Sequence, residues 1–173
     1  MAKAPTMSVL DRDLEGRSPR GPWADVSDAD WMDWRWQQRN RVQTAEELGR
    51  VIHLTDDEQQ AIELTSADFR MAITPYYAAL MDPDDPKCPI RRQSVPVTDE
   101  LSPSGFDLAD PLGEEAYMPV PGITHRYPDR VLFYVTHNCP VYCRHCTRKR
   151  KVSDPRSAAR WSQIDIGLSY IRE

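Results

Sequence analysis

Nine prolines fall between residues 83 and 128, at positions 83, 86, 89, 96, 103, 111, 119, 121 and 128. Each removes a backbone donor and drives the residue before it out of the helical region. Neither a long helix nor a central strand can run through such a stretch. A free-standing loop of this length is unusual inside a compact domain. Residues 83–128 therefore read as an arm that wraps a surface supplied by the rest of the protein. The arm divides the sequence into a tail at 1–26, a helical region at 27–82 and the start of an α/β core at 129–173.

The tail mixes Lys, Arg, Asp, Ser and Pro without periodicity, as a mobile segment does. Helix starts follow it. Ser27 with Asp30, Thr44 with Glu47, and Thr55 with Glu58 each place a hydroxyl ahead of an acid at capping-box spacing. Pro75 suits a first helical turn, with the helix running through Tyr77 to Leu80. Trp31 and Trp34 are expected to share a helix face and to pack.

Hydrophobic residues make up 40% of the 173 and charged residues 28%, which suits a chain able to form a core. A formal charge of −5 gives no general affinity for nucleic acid or an anionic membrane. No run approaches the roughly 20 apolar residues of a spanning helix. Lys3 is not followed by an apolar stretch, so no secretory signal is read. Four cysteines without such a signal favour metal or catalytic use over disulfides, and a cytoplasmic location is expected.

Val131, Leu132, Phe133, Tyr134 and Val135 form an apolar run expected as a strand buried on both faces, as in a parallel sheet. A cysteine loop follows, then a helix starting near Ser162 whose Ile164, Leu168 and Ile171 would face the sheet. Strand, loop and helix make one β/α unit. A lone parallel strand lacks a partner, and the chain ends 27 residues after Cys146, so truncation is expected.

Cys139, Cys143 and Cys146 form a C-x3-C-x2-C cluster. Three soft thiolates on a short loop suit a 4Fe–4S cluster with one iron left open. A zinc site completed by His137 or His145 is the alternative. Cys88, far upstream in Lys87-Cys88-Pro89, reads as a structural residue. Beside the loop, Arg144 and Arg148 could grip a carboxylate in bidentate fashion, or serve only as solvated charge. Lys149 and Lys151 read as a solvated face. Arg126, Tyr127 and Arg130 could hold a phosphate, or the arginines could pair with Asp129 or Asp110 to pin the arm.

The stretch from Pro121 to Leu132 (PGITHRYPDRVL), with Cys143-Arg144-His145-Cys146-Thr147-Arg148-Lys149-Arg150, resembles the lysine 2,3-aminomutase family. Trp31-Met32-Asp33-Trp34-Arg35-Trp36-Gln37, Thr74-Pro75-Tyr76-Tyr77, Pro89-Ile90-Arg91-Arg92-Gln93, Asp110-Pro111-Leu112-Gly113-Glu114 and Tyr170-Ile171-Arg172 are similar to it too. The resemblance covers roughly residues 28–173. It implies a radical S-adenosylmethionine enzyme that also uses pyridoxal 5′-phosphate, an isomerase moving an amino group from Cα to Cβ. By that resemblance Cys139, Cys143 and Cys146 hold the cluster, and Arg126, Tyr127 and Arg130 surround the pyridoxal phosphate. Arg148 then receives the substrate carboxylate. The implied partners are an amino acid, lysine first, and a reducing protein such as flavodoxin or ferredoxin; a homo-oligomer is open. The implied fold is the first β/α unit of a (β/α)6 partial barrel behind a helical N-terminal region. The family's Schiff-base lysine and side-chain-recognising acids lie outside these residues, so a fragment without activity of its own is expected. Two other readings are a non-catalytic iron- or zinc-binding module and a degenerate gene fragment.

Overall fold

The computed structural model describes residues 20–67, 69–102, 104–152 and 159–173. Most of the expected tail, and Pro103 of the arm, lie outside them. A short 3-10 turn at Gly21–Trp23 leads into a run of short helices. Ser27 caps α1 (Asp28–Met32), its hydroxyl accepting the Asp30 amide at 3.1 Å. Asp33 is extended and its carboxylate accepts the Arg35 amide at 2.9 Å, which restarts the chain as α2 (Trp34–Arg39). That break separates the two tryptophans expected on one face: Trp31 is 4% exposed and Trp34 is 63% exposed. A side-chain oxygen one residue before Trp34 satisfied the new helix end, so the helical period did not carry through.

Thr44 and Thr55 form complete capping boxes with Glu47 and Glu58 at the starts of α3 (Ala45–Gly49) and α4 (Asp56–Leu64). Pro75 opens α5 (Pro75–Ala79), and Pro89 opens α6 (Pro89–Arg92) within the proline-rich arm. The main core gathers Leu48, Ile52, Ile62, Met71, Ile73 and Val95 from these helices and the segments between them. Arg91 is fully buried on this core and is completely engaged. It donates to Glu58 from Nε at 2.7 Å and from Nη2 at 2.5 Å, and to the His53 carbonyl at 2.7 Å. Burial pushes the Glu58 carboxyl up, but the hydrogen bonds from Arg91 and Thr55 outweigh it and hold the group below its ordinary value.

The apolar run at 131–135 is not a parallel strand. It contributes to β2 (Arg130–Phe133), which pairs antiparallel with β1 (Ile123–Tyr127) in a two-stranded sheet. Tyr127 faces Arg130 across a two-residue Pro128-Asp129 turn, and the register slips between Thr124 and Tyr127. No described residue other than glycine has positive φ, so this is not the mirror-image turn that matches strand twist; the irregularity absorbs the mismatch. A hairpin needs only this short connection, whereas a parallel partner needs a crossover of a dozen residues or more. Burial in β2 alternates rather than being complete, with Leu132 40% exposed. The described residues thus combine helices with a small antiparallel sheet, and no partial barrel is formed among them.

The final helix α8 (Trp161–Arg172) lies against this hairpin through a different stripe from the one expected. Gly167 is its buried residue, set so close to Phe133 that a Cβ would fall 2.7 Å from the ring. Tyr170 meets His125 with 2.5 Å between the phenol oxygen and Nδ1. Of the expected stripe, Ile164 is half-buried, while Leu168 and Ile171 stay exposed at 39% and 48%. None of the described helices is long and apolar enough to cross a membrane.

Candidate active site

Residues 139–146 are shaped by the helical region on which they lie. Ile73 is bridged on one side to Val42 and on the other to Val141, so the cysteine loop joins an extended seam. The amide of Tyr142 donates to the Ala72 carbonyl at 2.9 Å, and that of Arg144 to the Gln93 carbonyl at 2.8 Å. Tyr142 stacks on Phe69 with 6.0 Å between centroids, and Cys139 and Cys146 pack on the same small cluster.

Two arginines fasten the loop at its ends. Arg41 donates to the Cys139 carbonyl at 2.7 Å and lies over the Tyr142 ring, while its buried Nε meets no acceptor among the described residues. Arg144 forks onto Glu100, with Nε at 3.0 Å from both oxygens and Nη2 at 2.7 Å from Oε2. Its Nη1 donates to the Phe69 carbonyl at 2.9 Å, and the guanidinium sits 4.5 Å over the Phe69 ring. Arg144 is thereby a clamp between the loop and the arm, already holding a carboxylate of the chain itself.

The three cysteines are free thiols, partly buried. Burial pushes the Cys139 thiol up, the neighbouring Cys146 and Cys143 push it further, and Arg41 opposes them. Cys143 is raised by burial and then by Cys146. Cys139 and Cys143 both lie near Cys146, although no three His, Cys, Asp or Glu side chains are gathered as a finished metal set among the described residues. As a donor set, three thiolates suit a cation that takes soft ligands. Of the two histidines considered beside them, His137 stacks on Tyr134 and is pushed down by burial and by Lys151. His145 is exposed. Cys88 is buried at the N-terminal cap of α6, where its sulfur accepts the Asp82 amide at 3.4 Å.

Beside the loop, β1, β2, the arm around Glu114, and Arg148, which immediately precedes the short helix α7 (Lys149–Val152), border a cleft of about 410 Å³. Arg126, Tyr127, Arg130 and Arg148 all line it, together with Thr124 and Glu114. Thr124 is 7% exposed, with its hydroxyl beside the Tyr134 phenol. Arg126 donates weakly to the Leu112 carbonyl at 3.3 Å and lies over Tyr117. Arg130 stands 3.3 Å from Asp129 at the exposed turn. Arg148 is held far more tightly, by Glu114 and the Tyr134 hydroxyl. Those contacts push Arg148 upward; Glu114 is raised by burial yet held low by Tyr134 and Arg148.

Arg150 rather than Arg126 reaches Asp110, at 3.9 Å, and pairs with Glu115 at 3.1 Å. Lys151 lies over the Tyr134 ring at 5.0 Å, so it is not merely solvated. Sequence reasoning missed Arg41, Glu114 and Tyr134 as parts of this site. Glu114 carried one signal, its place in the Asp110-Pro111-Leu112-Gly113-Glu114 motif; nothing local marked Arg41.

No protein-family model matches the chain. Over 151 residues it is 48% identical to the L-lysine 2,3-aminomutase of Bacillus subtilis (strain 168), covering 87% of this chain and 32% of that protein. With the L-lysine 2,3-aminomutase of Clostridium subterminale the identity is 51% over 148 residues, 86% of this chain and 36% of the relative. The chain matches the N-terminal part of the lysine 2,3-aminomutase family. Glutamate 2,3-aminomutase of Clostridioides difficile (strain 630) is also similar, at 41% over 147 residues, 85% of this chain and 35% of that enzyme. The chain thus spans about a third of the length of the curated aminomutases it matches.

Proposed function

We propose that the chain forms the cofactor-binding N-terminal part of an amino-acid 2,3-aminomutase, with L-lysine as substrate. The observation that carries this reading is the convergence of Arg126, Tyr127, Arg130 and Arg148 on one cleft beside the three-cysteine loop. Cys139, Cys143 and Cys146 would hold a 4Fe–4S cluster, and Arg126, Tyr127 and Arg130 the phosphate of pyridoxal 5′-phosphate. When bound, the cluster with S-adenosylmethionine supplies a radical that abstracts hydrogen, and pyridoxal phosphate carries the amino group as it migrates. A reducing protein of the flavodoxin or ferredoxin kind is the proposed electron source.

The protein's own groups do the positioning. Two guanidinium forks and a phenol on adjacent hairpin positions match a phosphate dianion. The buried Thr124 adds a further hydroxyl at the wall of the same cleft. Arg148, on the loop side, offers a bidentate edge to an α-carboxylate. Arg41 and Arg144 fix the backbone of the cysteine loop, so that the thiols approach a metal centre from a set direction.

The test is anaerobic reconstitution with iron and sulfide, followed by electron paramagnetic resonance with and without S-adenosylmethionine. A reducible cubane whose signal changes on adding the cosubstrate is expected, and it should be lost in the Cys139→Ser, Cys143→Ser, Cys146→Ser variant. Uptake of zinc alone would sink the reading and favour a non-catalytic metal module.

A further inference from the structure

Arg148 has two edges, and among the described residues only one of them is taken. Its Nη2 donates to Glu114 Oε1 at 2.5 Å and its Nε to Glu114 Oε2 at 3.3 Å. The Tyr134 hydroxyl donates to Glu114 Oε2 at 2.6 Å and accepts from Arg148 Nε at 3.2 Å. Nη1 meets no acceptor among the described residues. A guanidinium carries five donors in one plane, so a second carboxylate fits the Nη1–Nη2 edge while the first keeps the Nε–Nη2 edge. Burial separates the two sides. Glu114 is 8% exposed, whereas 35% of the Arg148 side chain is open, and Arg148 lines the cleft that also holds Arg126, Tyr127 and Arg130.

We infer that Glu114, backed by Tyr134, is the positioning residue for substrate: it holds the inner edge of Arg148 and turns the outer edge into the cleft for the α-carboxylate. The inference rests on the reading of Arg148 as the carboxylate receptor. It opposes a simpler possibility, in which Glu114 occupies the substrate's place and is displaced on binding. The two differ in sign. A positioning Glu114 strengthens carboxylate binding, because an arginine already fixed loses less side-chain freedom on docking. A competing Glu114 weakens it.

The experiment follows the Arg148 Nε–H resonance of the full chain by nitrogen-15 NMR during titration with L-lysine, and with cadaverine, which lacks the carboxylate. With L-lysine the Nε–H signal should shift yet stay protected from exchange, and cadaverine should leave it unmoved. Glu114→Gln should weaken L-lysine binding about tenfold, the weight of one charge-assisted hydrogen bond. Tyr134→Phe, which keeps both charges, should weaken it about threefold by the same reasoning, and it serves if the glutamine variant does not fold. Unchanged or tighter binding in a folded Glu114→Gln or Tyr134→Phe protein, with Arg148→Lys binding abolished, overturns the role of Glu114 alone. Equal binding by wild type and Arg148→Lys, or equal response to cadaverine, overturns the carboxylate reading itself and this inference with it.

Discussion

Arg144→Met should loosen the cysteine loop from the helical region without touching a cysteine. The methionine keeps much of the apolar stem but deletes every donor. Lost are the fork onto Glu100 and the bond to the Phe69 carbonyl, together with the cation stacked on the Phe69 ring. The Arg144 side chain is 6% exposed and that of Glu100 is 23% exposed, so the pair is more buried than a surface salt bridge. A charge-assisted hydrogen bond contributes about 1.5–3 kcal/mol and a cation–π contact about 0.5–1 kcal/mol more. Water regains Glu100 in the variant, which recovers part of that loss, and the net expectation is a destabilisation of about 2–4 kcal/mol. Urea unfolding followed by tryptophan fluorescence measures it. The thiols of Cys139, Cys143 and Cys146 should at the same time react faster with a disulfide reagent. A change under about 0.5 kcal/mol, within the range of ordinary surface substitutions, would refute the clamp.

Arg91→Met should cost about 3–5 kcal/mol, because it strands the Glu58 carboxylate in the core; chemical denaturation against Glu58→Gln/Arg91→Met reads the pair's coupling. Glu58 is held below its ordinary 4.5, so its contribution is complete above about that pH and is lost as pH falls through the depressed folded-state value. Unfolding free energies measured between pH 7 and 3 should show that slope, and Glu58→Gln should flatten it. Gly167→Ala drives a methyl into the Phe133 ring and should destabilise by about 1–3 kcal/mol, with the His125 and Tyr170 resonances moving as α8 lifts. Thr55→Ala removes the hydroxyl of a complete capping box and should lower the unfolding free energy by about 1 kcal/mol.

Features set by neighbours in sequence were legible, and features set by distant chain were not. Thr44, Thr55 and Pro75 act through amides within their own first turn, so their spacing was enough to mark where α3, α4 and α5 begin. Asp33 shows the limit of that logic, since its carboxylate competed locally with the helical period and turned Trp34 outward. The run at 131–135 misled because its composition suits a buried parallel strand as well as half of a hairpin; the deciding partner, Ile123–Tyr127, sat inside the proline-rich arm. Motif matching singled out Arg126, Tyr127, Arg130 and Arg148, and they share one cleft. Glu114 and Arg41 escaped because each acts across a long span of chain: 34 residues separate Glu114 from Arg148, and 98 separate Arg41 from Cys139.

The seam at Ile73 has a consequence for the order in which the protein is made. Val42 and Ile73 are both synthesised well before Val141, and the carbonyls of Ala72 and Gln93 that receive the cysteine loop are likewise upstream of it. At roughly 5–20 residues per second the ribosome delivers the helical region several seconds ahead of the cysteines. Every residue that receives the loop is therefore already part of the chain when the cysteines are added. Under the proposed role of Cys139, Cys143 and Cys146, metal loading would be a late event of biogenesis, because all three ligands are made after the helical region that receives their loop.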